Sequence, residues 1–142
     1  MKDSLLARVT ERGLFVLLLL VAAWLFLRGH DAPGGGFVAG VIAGIAWALR
    51  AFTRGPEAGY TALRIDPDKL SAFGLLLATV TGALGAVLDG VYLSSHWADI
   101  ELPLKLSFSV GTPMLFELGI FLVVLGVTTR IVLGLQQFTS AS

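Results

Sequence analysis

Apolar residues along the chain fall into blocks, and most charged residues are confined to the short stretches between them. A helix rising about 1.5 Å per residue needs roughly 17 to 25 apolar residues to cross a bilayer. Gly13 to Leu27 is uncharged between Arg12 and Arg28; its fifteen residues are slightly short, and the flanking arginines can snorkel to extend it. A cleaved signal peptide competes for this block, since Lys2, Arg8 and Arg12 precede it. No A-x-A site follows and Arg28, His30 and Asp31 come next, so an uncleaved helix is expected. Phe37 to Phe52 is interrupted only by Arg50, Leu70 to Leu88 is uncharged over nineteen residues, and Ser109 to Leu135 is interrupted by Glu117 and Arg130. The pattern predicts an all-α integral membrane protein, one domain over 1–142, with spans near 10–28, 36–53, 70–88 and 110–133.

Four spans bring both termini to one side. Eight basic residues (Lys2, Arg8, Arg12, Arg50, Arg54, Arg64, Lys69 and Arg130) lie on the side of the termini, and only Arg28 and Lys105 on the other. By the positive-inside rule the termini are cytoplasmic. The outer loop Arg28 to Gly36 is tight and ends in Pro33, Gly34, Gly35 and Gly36. The inner loop Thr53 to Lys69 is polar, with turn signals at Gly55-Pro56 and Asp66-Pro67. Asp89 to Phe108 is longer and mixed, and Tyr92, Trp97 and Phe108 suit a segment at the outer membrane interface.

Composition narrows the function. With 56% hydrophobic and 14% charged residues, the chain is unlike soluble enzymes, which run near 25% charged. Ten basic and ten acidic residues cancel, so no global field draws nucleic acid. The absence of cysteine excludes disulfides, thiolate metal sites and thiol catalysis. His30 and His96 lie in outer loops without metal-ligand spacing, and there is no nucleophile elbow or dinucleotide fingerprint. No cofactor, metal site or catalytic residue is expected.

Small residues recur every fourth position in span two (Gly36, Gly40, Gly44, Ala48) and in span three (Gly74, Ala78, Gly82, Ala86). Residues four apart share a helix face, and bare faces let helix backbones approach closely in lipid. Spans two and three are therefore expected to pack against helices of this chain or of partners, and four helices alone can hardly bury both stripes. The first span, rich in Leu, Phe and Trp24, looks lipid-facing. The glycine run at 34–36 disfavours a regular first turn; it reads either as a tight hairpin or as unwound backbone of the kind that marks ion sites in transporters. His30 titrates near neutrality, and beside Asp31 it reads as a solvated pair or as part of such a site.

Glu117 is the sharpest feature. Thr112 and Pro113 suit a helix start, which puts Glu117 about one turn inside the last span. A carboxylate at depth costs roughly 2.5 to 3.5 kcal/mol on insertion scales, so it faces protein or water unless it lies among the outer headgroups. Arg130 is thirteen residues away on the same helix, roughly 20 Å, and cannot neutralise it. Glu117 is the leading proton or cation ligand candidate, with His30, Asp31 and Thr112 as further candidates.

Two stretches carry a family resemblance. The first is Arg28-Gly29-His30, then Ala32-Pro33-Gly34-Gly35-Gly36-Phe37 and Gly40. The second is Gly111-Thr112-Pro113-Met114-Leu115-Phe116-Glu117-Leu118-Gly119 through Gly126. Together they resemble the MnhB/MrpB family, the B-type component of the Mrp (Mnh) multisubunit Na⁺/H⁺ antiporters. The likeness runs through nearly the whole chain, although Asp is expected more often than Glu at the position of Glu117. It implies an accessory subunit of a hetero-oligomeric, complex-I-related assembly in a prokaryotic cell membrane. Its partners would be the other antiporter subunits and the lipid bilayer, with Na⁺ and H⁺ as the transported ions. An equivalent component of a membrane-bound hydrogenase-like complex and a self-contained homo-oligomeric channel using Glu117 are the alternatives.

Overall fold

The computed structural model describes residues 5–29, 35–89, 97–101 and 107–140. Helix α1 covers Leu5–Arg28, α2 Gly35–Arg54, α3 Pro56–Leu63 and α4 Pro67–Asp89. Strands β1 (Trp97–Glu101) and β2 (Ser107–Gly111) follow, and α5 covers Thr112–Ser140. Among the described residues, four helices contain stretches long and apolar enough to cross a membrane: Val9–Arg28, Gly35–Arg54, Pro67–Leu88 and Thr112–Gln137. Each helix is longer than its predicted span, although α1 ends at Arg28 as expected and α5 begins two residues later, at Thr112, before running on to Ser140.

The polar inner loop folds into the short helix α3. Gly55, at φ 96°, ends α2 with its N–H donating to the Ala51 carbonyl at 2.9 Å, and Pro56 opens α3. That left-handed backbone is open to glycine at little cost, and proline tolerates a first helical position. The Asp66 carboxylate accepts the Asp68 N–H at 2.9 Å and caps α4, whose first residue is Pro67. The outer connection, expected as a segment at the outer membrane interface, holds an antiparallel pair in which Trp97 faces Gly111 and Glu101 faces Ser107. Pairing satisfies backbone groups that an extended segment near lipid would leave bare.

In space α1 packs on α2, α2 on α5 and α5 on α4, so the last helix in sequence is interior to the arrangement. Ala22, Ala43, Leu70 and Leu125 form the buried centre, wrapped by Leu19, Ile42, Trp47, Leu63, Phe121 and Leu122. Both small-residue stripes seat on α5. A methyl on Gly40 would lie 2.9 Å from the Phe121 carbonyl oxygen, and one on Gly44 2.6 Å from Thr128 Cγ2. On the other flank, a methyl on Gly74 would lie 2.7 Å from the Gly119 carbonyl oxygen, while Ala78 lies against Gly119; Gly82 is buried further along α4. Of the two expected sources of a packing helix, this chain supplies it for this much of the stripes, so four helices bury more of both than expected. One interposed helix presents a flank to each. The first helix keeps Val16, Leu17, Leu20, Trp24 and Leu27 mostly exposed, as its composition suggested.

Candidate functional site

Glu117 sits in the second turn of α5, five residues after Thr112, which begins the helix. The α1–α2 hairpin folds over it. Gly29 closes α1 with its N–H on the Phe26 carbonyl at 3.3 Å, and Gly29 and Gly35 approach so closely that a methyl on Gly29 would overlap the Gly35 backbone. The Glu117 carboxylate lies against both glycines. Gly35 adopts φ 77°, and a Cβ there would stand 3.1 Å from Glu117 Oε1. That backbone is strained for residues with a side chain, so the position demands glycine twice, for conformation and for room. A methyl on Gly36 would overlap the Glu117 carbonyl oxygen. Below this level Phe26 meets Phe121 edge-on, with centroids 5.6 Å apart and planes at 65°.

Gly29 and Gly35 thus form a backbone cradle against the carboxyl group, and Gly36 seats on the main chain of the same residue. The cradle includes the N-terminus of α2, whose first N–H groups have no intrahelical partner and carry partial positive charge. That field favours an anion. Glu117 Oε2 is buried and has no hydrogen-bond partner among the described residues. An unpaired buried acceptor is costly. Its chemistry is that of a fixed oxygen open to a proton, a cation or a donor from another chain.

The sequence candidates separate at this point. Gly35 and Gly36 meet Glu117 directly, and Thr112 lies on the same helix. His30, Asp31, Pro33 and Gly34 lie outside the described residues. Arg130 pairs with Asp68 of α4 at 3.4 Å toward the far end of α5, with both side chains more than half exposed. Among the described residues no three His, Cys, Asp or Glu side chains could hold a metal ion.

A second carboxylate escapes sequence reasoning, in which Glu11 counts only as one inner-side charge. Its side chain is 2% exposed. Arg50 Nε donates to Oε1 at 3.0 Å, and Arg54 donates to Oε2 from Nε at 2.8 Å and also from Nη2. The Arg50 guanidinium lies 3.8 Å from the Phe15 ring centroid, and Phe15 meets Trp47 edge-on at 5.2 Å. One signal could have found it. Arg50 and Arg54 are one helical turn apart on a single face, and a hairpin of two spans returns that face to the start of α1.

A family model described as "Domain related to MnhB subunit of Na+/H+ antiporter" matches residues 6–130. The chain is 39% identical over 129 residues to a protein of Rhizobium meliloti named as a probable K(+)/H(+) antiporter A/B subunit, covering 91% of this chain but 13% of that protein. It is 33% identical over 135 residues to the Na(+)/H(+) antiporter B subunit of Alkalihalophilus pseudofirmus, covering 95% and 93%. Against the protein of the same name from Bacillus subtilis it is 33% identical over 130 residues, covering 92% and 90%. A chain in the structure of the Mrp complex from Dietzia sp. DQ12-45-1b is similar in fold, with TM-score 0.78 and 30% identity; the match covers 92% of this chain and 14% of that one. The chain therefore matches nearly all of the separate B subunits and a small part of the larger proteins.

Proposed function

The chain belongs to the family of domains related to the MnhB subunit of Na⁺/H⁺ antiporters, and from that premise we propose that Glu117 faces the ion or proton route of the antiporter it serves. The chain is an accessory, multi-pass subunit of a multisubunit antiporter in the cell membrane, and its partners are the other subunits. It is a transporter subunit, and in this reading it carries no active site of its own.

The observation that carries the reading is the buried Oε2 of Glu117, unpartnered among the described residues, in its glycine cradle. Purely structural carboxylates acquire partners, as Glu11 does at the other end of the hairpin. An acceptor held rigid and unpaired is suited to a group that comes and goes. Relatives named for K⁺ and for Na⁺ are both similar to this chain, so the reading extends to monovalent cations as a class.

Glu117→Gln tests it in vesicles carrying the whole complex, assayed with Na⁺ and with K⁺. Glutamine keeps the size and a hydrogen-bonding end but cannot titrate. Antiport is expected to fall about tenfold, equal to about 1.4 kcal/mol in the barrier, with an altered pH profile and normal assembly of the complex. An assembled variant with the parental rate and pH profile removes Glu117 from the route. Native mass spectrometry addresses the larger premise: a stable homo-oligomer that transports without other subunits would contradict an accessory role.

A further inference from the structure

Among the described residues, Arg50 and Arg54 leave most of their hydrogen-bonding capacity unused. A guanidinium carries five N–H donors in a planar fork. Glu11 takes one from Arg50 and two from Arg54, and both of its own oxygens are then occupied. Among the described residues, two cations against one carboxylate leave one positive charge over. The exposures point outward in the same sense: the arginine side chains are 21% and 29% exposed, while Glu11 is sealed. The exposed Glu57, at the start of α3, pairs with neither arginine among the described residues.

The location adds a second constraint. Arg54 is the last residue of α2 and of its membrane-length stretch, so the cluster lies where apolar span gives way to headgroups. Arg12, exposed, follows Glu11 on α1. Phe52 on α2 and Val9 and Val16 on α1 are more than half exposed near it and offer apolar surface beside the charge. Planar guanidinium forks match phosphate oxygens in pairs, and juxtamembrane arginines attract anionic lipid.

We propose that Arg50 and Arg54, held in place by Glu11, bind the phosphate of an anionic phospholipid in the leaflet that meets this end of the helices. Glu11 acts as a positioning residue: it fixes one edge of each guanidinium and leaves the others turned outward. The surplus positive charge selects against a zwitterionic headgroup, whose own cation it repels. The site is independent of Glu117, which lies at the opposite end of the α1–α2 hairpin.

The test uses the assembled complex in nanodiscs that contain photoactivatable phosphatidylglycerol or phosphatidylcholine, each with its reactive group near the phosphate. Adducts on the peptide carrying residues 49–57 are expected to favour phosphatidylglycerol about fivefold, the equivalent of about 1 kcal/mol for the one surplus positive charge. Arg54→Gln is expected to lower that preference to near parity. Raised salt is expected to do the same in the parent complex, so the prediction stands even where the variant fails to assemble. Equal labelling by the two lipids in the parent overturns the proposal, as does an assembled Arg54→Gln complex with the parental preference. Suppression of the adducts by inorganic phosphate at unchanged ionic strength would assign the site to a free anion and overturn the lipid.

Discussion

At the residue scale, two carboxylates interrupt the apolar helices at opposite ends of one hairpin, and their surroundings separate their roles. Glu11 is saturated by two guanidiniums from α2, whereas the Glu117 carboxyl lies against the backbone of Gly29 and Gly35 with one oxygen unpartnered among the described residues. Removing Glu11 leaves Arg50 and Arg54 facing each other without their counter-ion. Breaking a fully buried pair costs about 3 to 5 kcal/mol; the partial exposure of the arginines brings Glu11→Ala below that range but still above about 1 kcal/mol. The exposed pair between Arg130 and Asp68 sets the contrast, and Asp68→Asn should cost no more than about 1 kcal/mol. Thermal unfolding of the purified complex reads both, and equal shifts would show that the Glu11 cluster is no more than a solvated surface pair. Glu117 was legible because a charge inside an apolar run demands an explanation. Glu11 stands at the border of its run, where an acid ordinarily meets water, and its partners lie 39 and 43 residues away.

At the element scale, helix contact is governed by where side chains are missing. The α5 flank carrying Glu117, Phe121, Val124 and Thr128 receives Gly36, Gly40 and Gly44, while Gly119, Val123 and Gly126 receive α4. Gly36→Ala forces the start of α2 away from the Glu117 carbonyl, and overpacking of this kind costs about 1 to 3 kcal/mol. Gly13 lies inside α1 with nothing within 4 Å of the added methyl. Gly13→Ala should therefore stabilise the protein by about 0.5 to 1 kcal/mol through helix propensity alone. Opposite shifts in unfolding temperature are the expected result, and parallel ones would mean that the glycine stripe has no packing role. The stripes were readable from four-residue spacing, but the helix they meet was not, because every span offers apolar surface of similar kind. The glycine run shows the same limit. Gly35 has the left-handed backbone expected of broken structure, yet regular helix already includes Gly36.

At the scale of the whole molecule, the zero net charge conceals polarity. Counting by predicted side, the inner residues sum to +3, the outer ones to −2, and Glu117 supplies the last negative charge in the membrane. This asymmetry predicts that α3 lies in the cytoplasm. The chain has no cysteine, so Thr61→Cys, on an exposed position of α3, introduces a single label site. An impermeant maleimide should modify it in inside-out vesicles and spare it in right-side-out ones; the reverse pattern would invert the topology. The sequence by itself determined the four spans and the carboxylate within the last helix, because these follow from local hydropathy and the cost of burying charge. Only the tertiary structure decided that α5 lies between α2 and α4, that the hairpin closes over Glu117, and that Glu11 holds two arginines. Those facts depend on which surfaces meet across long stretches of chain, and apolar helices in lipid carry too little distinguishing pattern to reveal their neighbours one at a time.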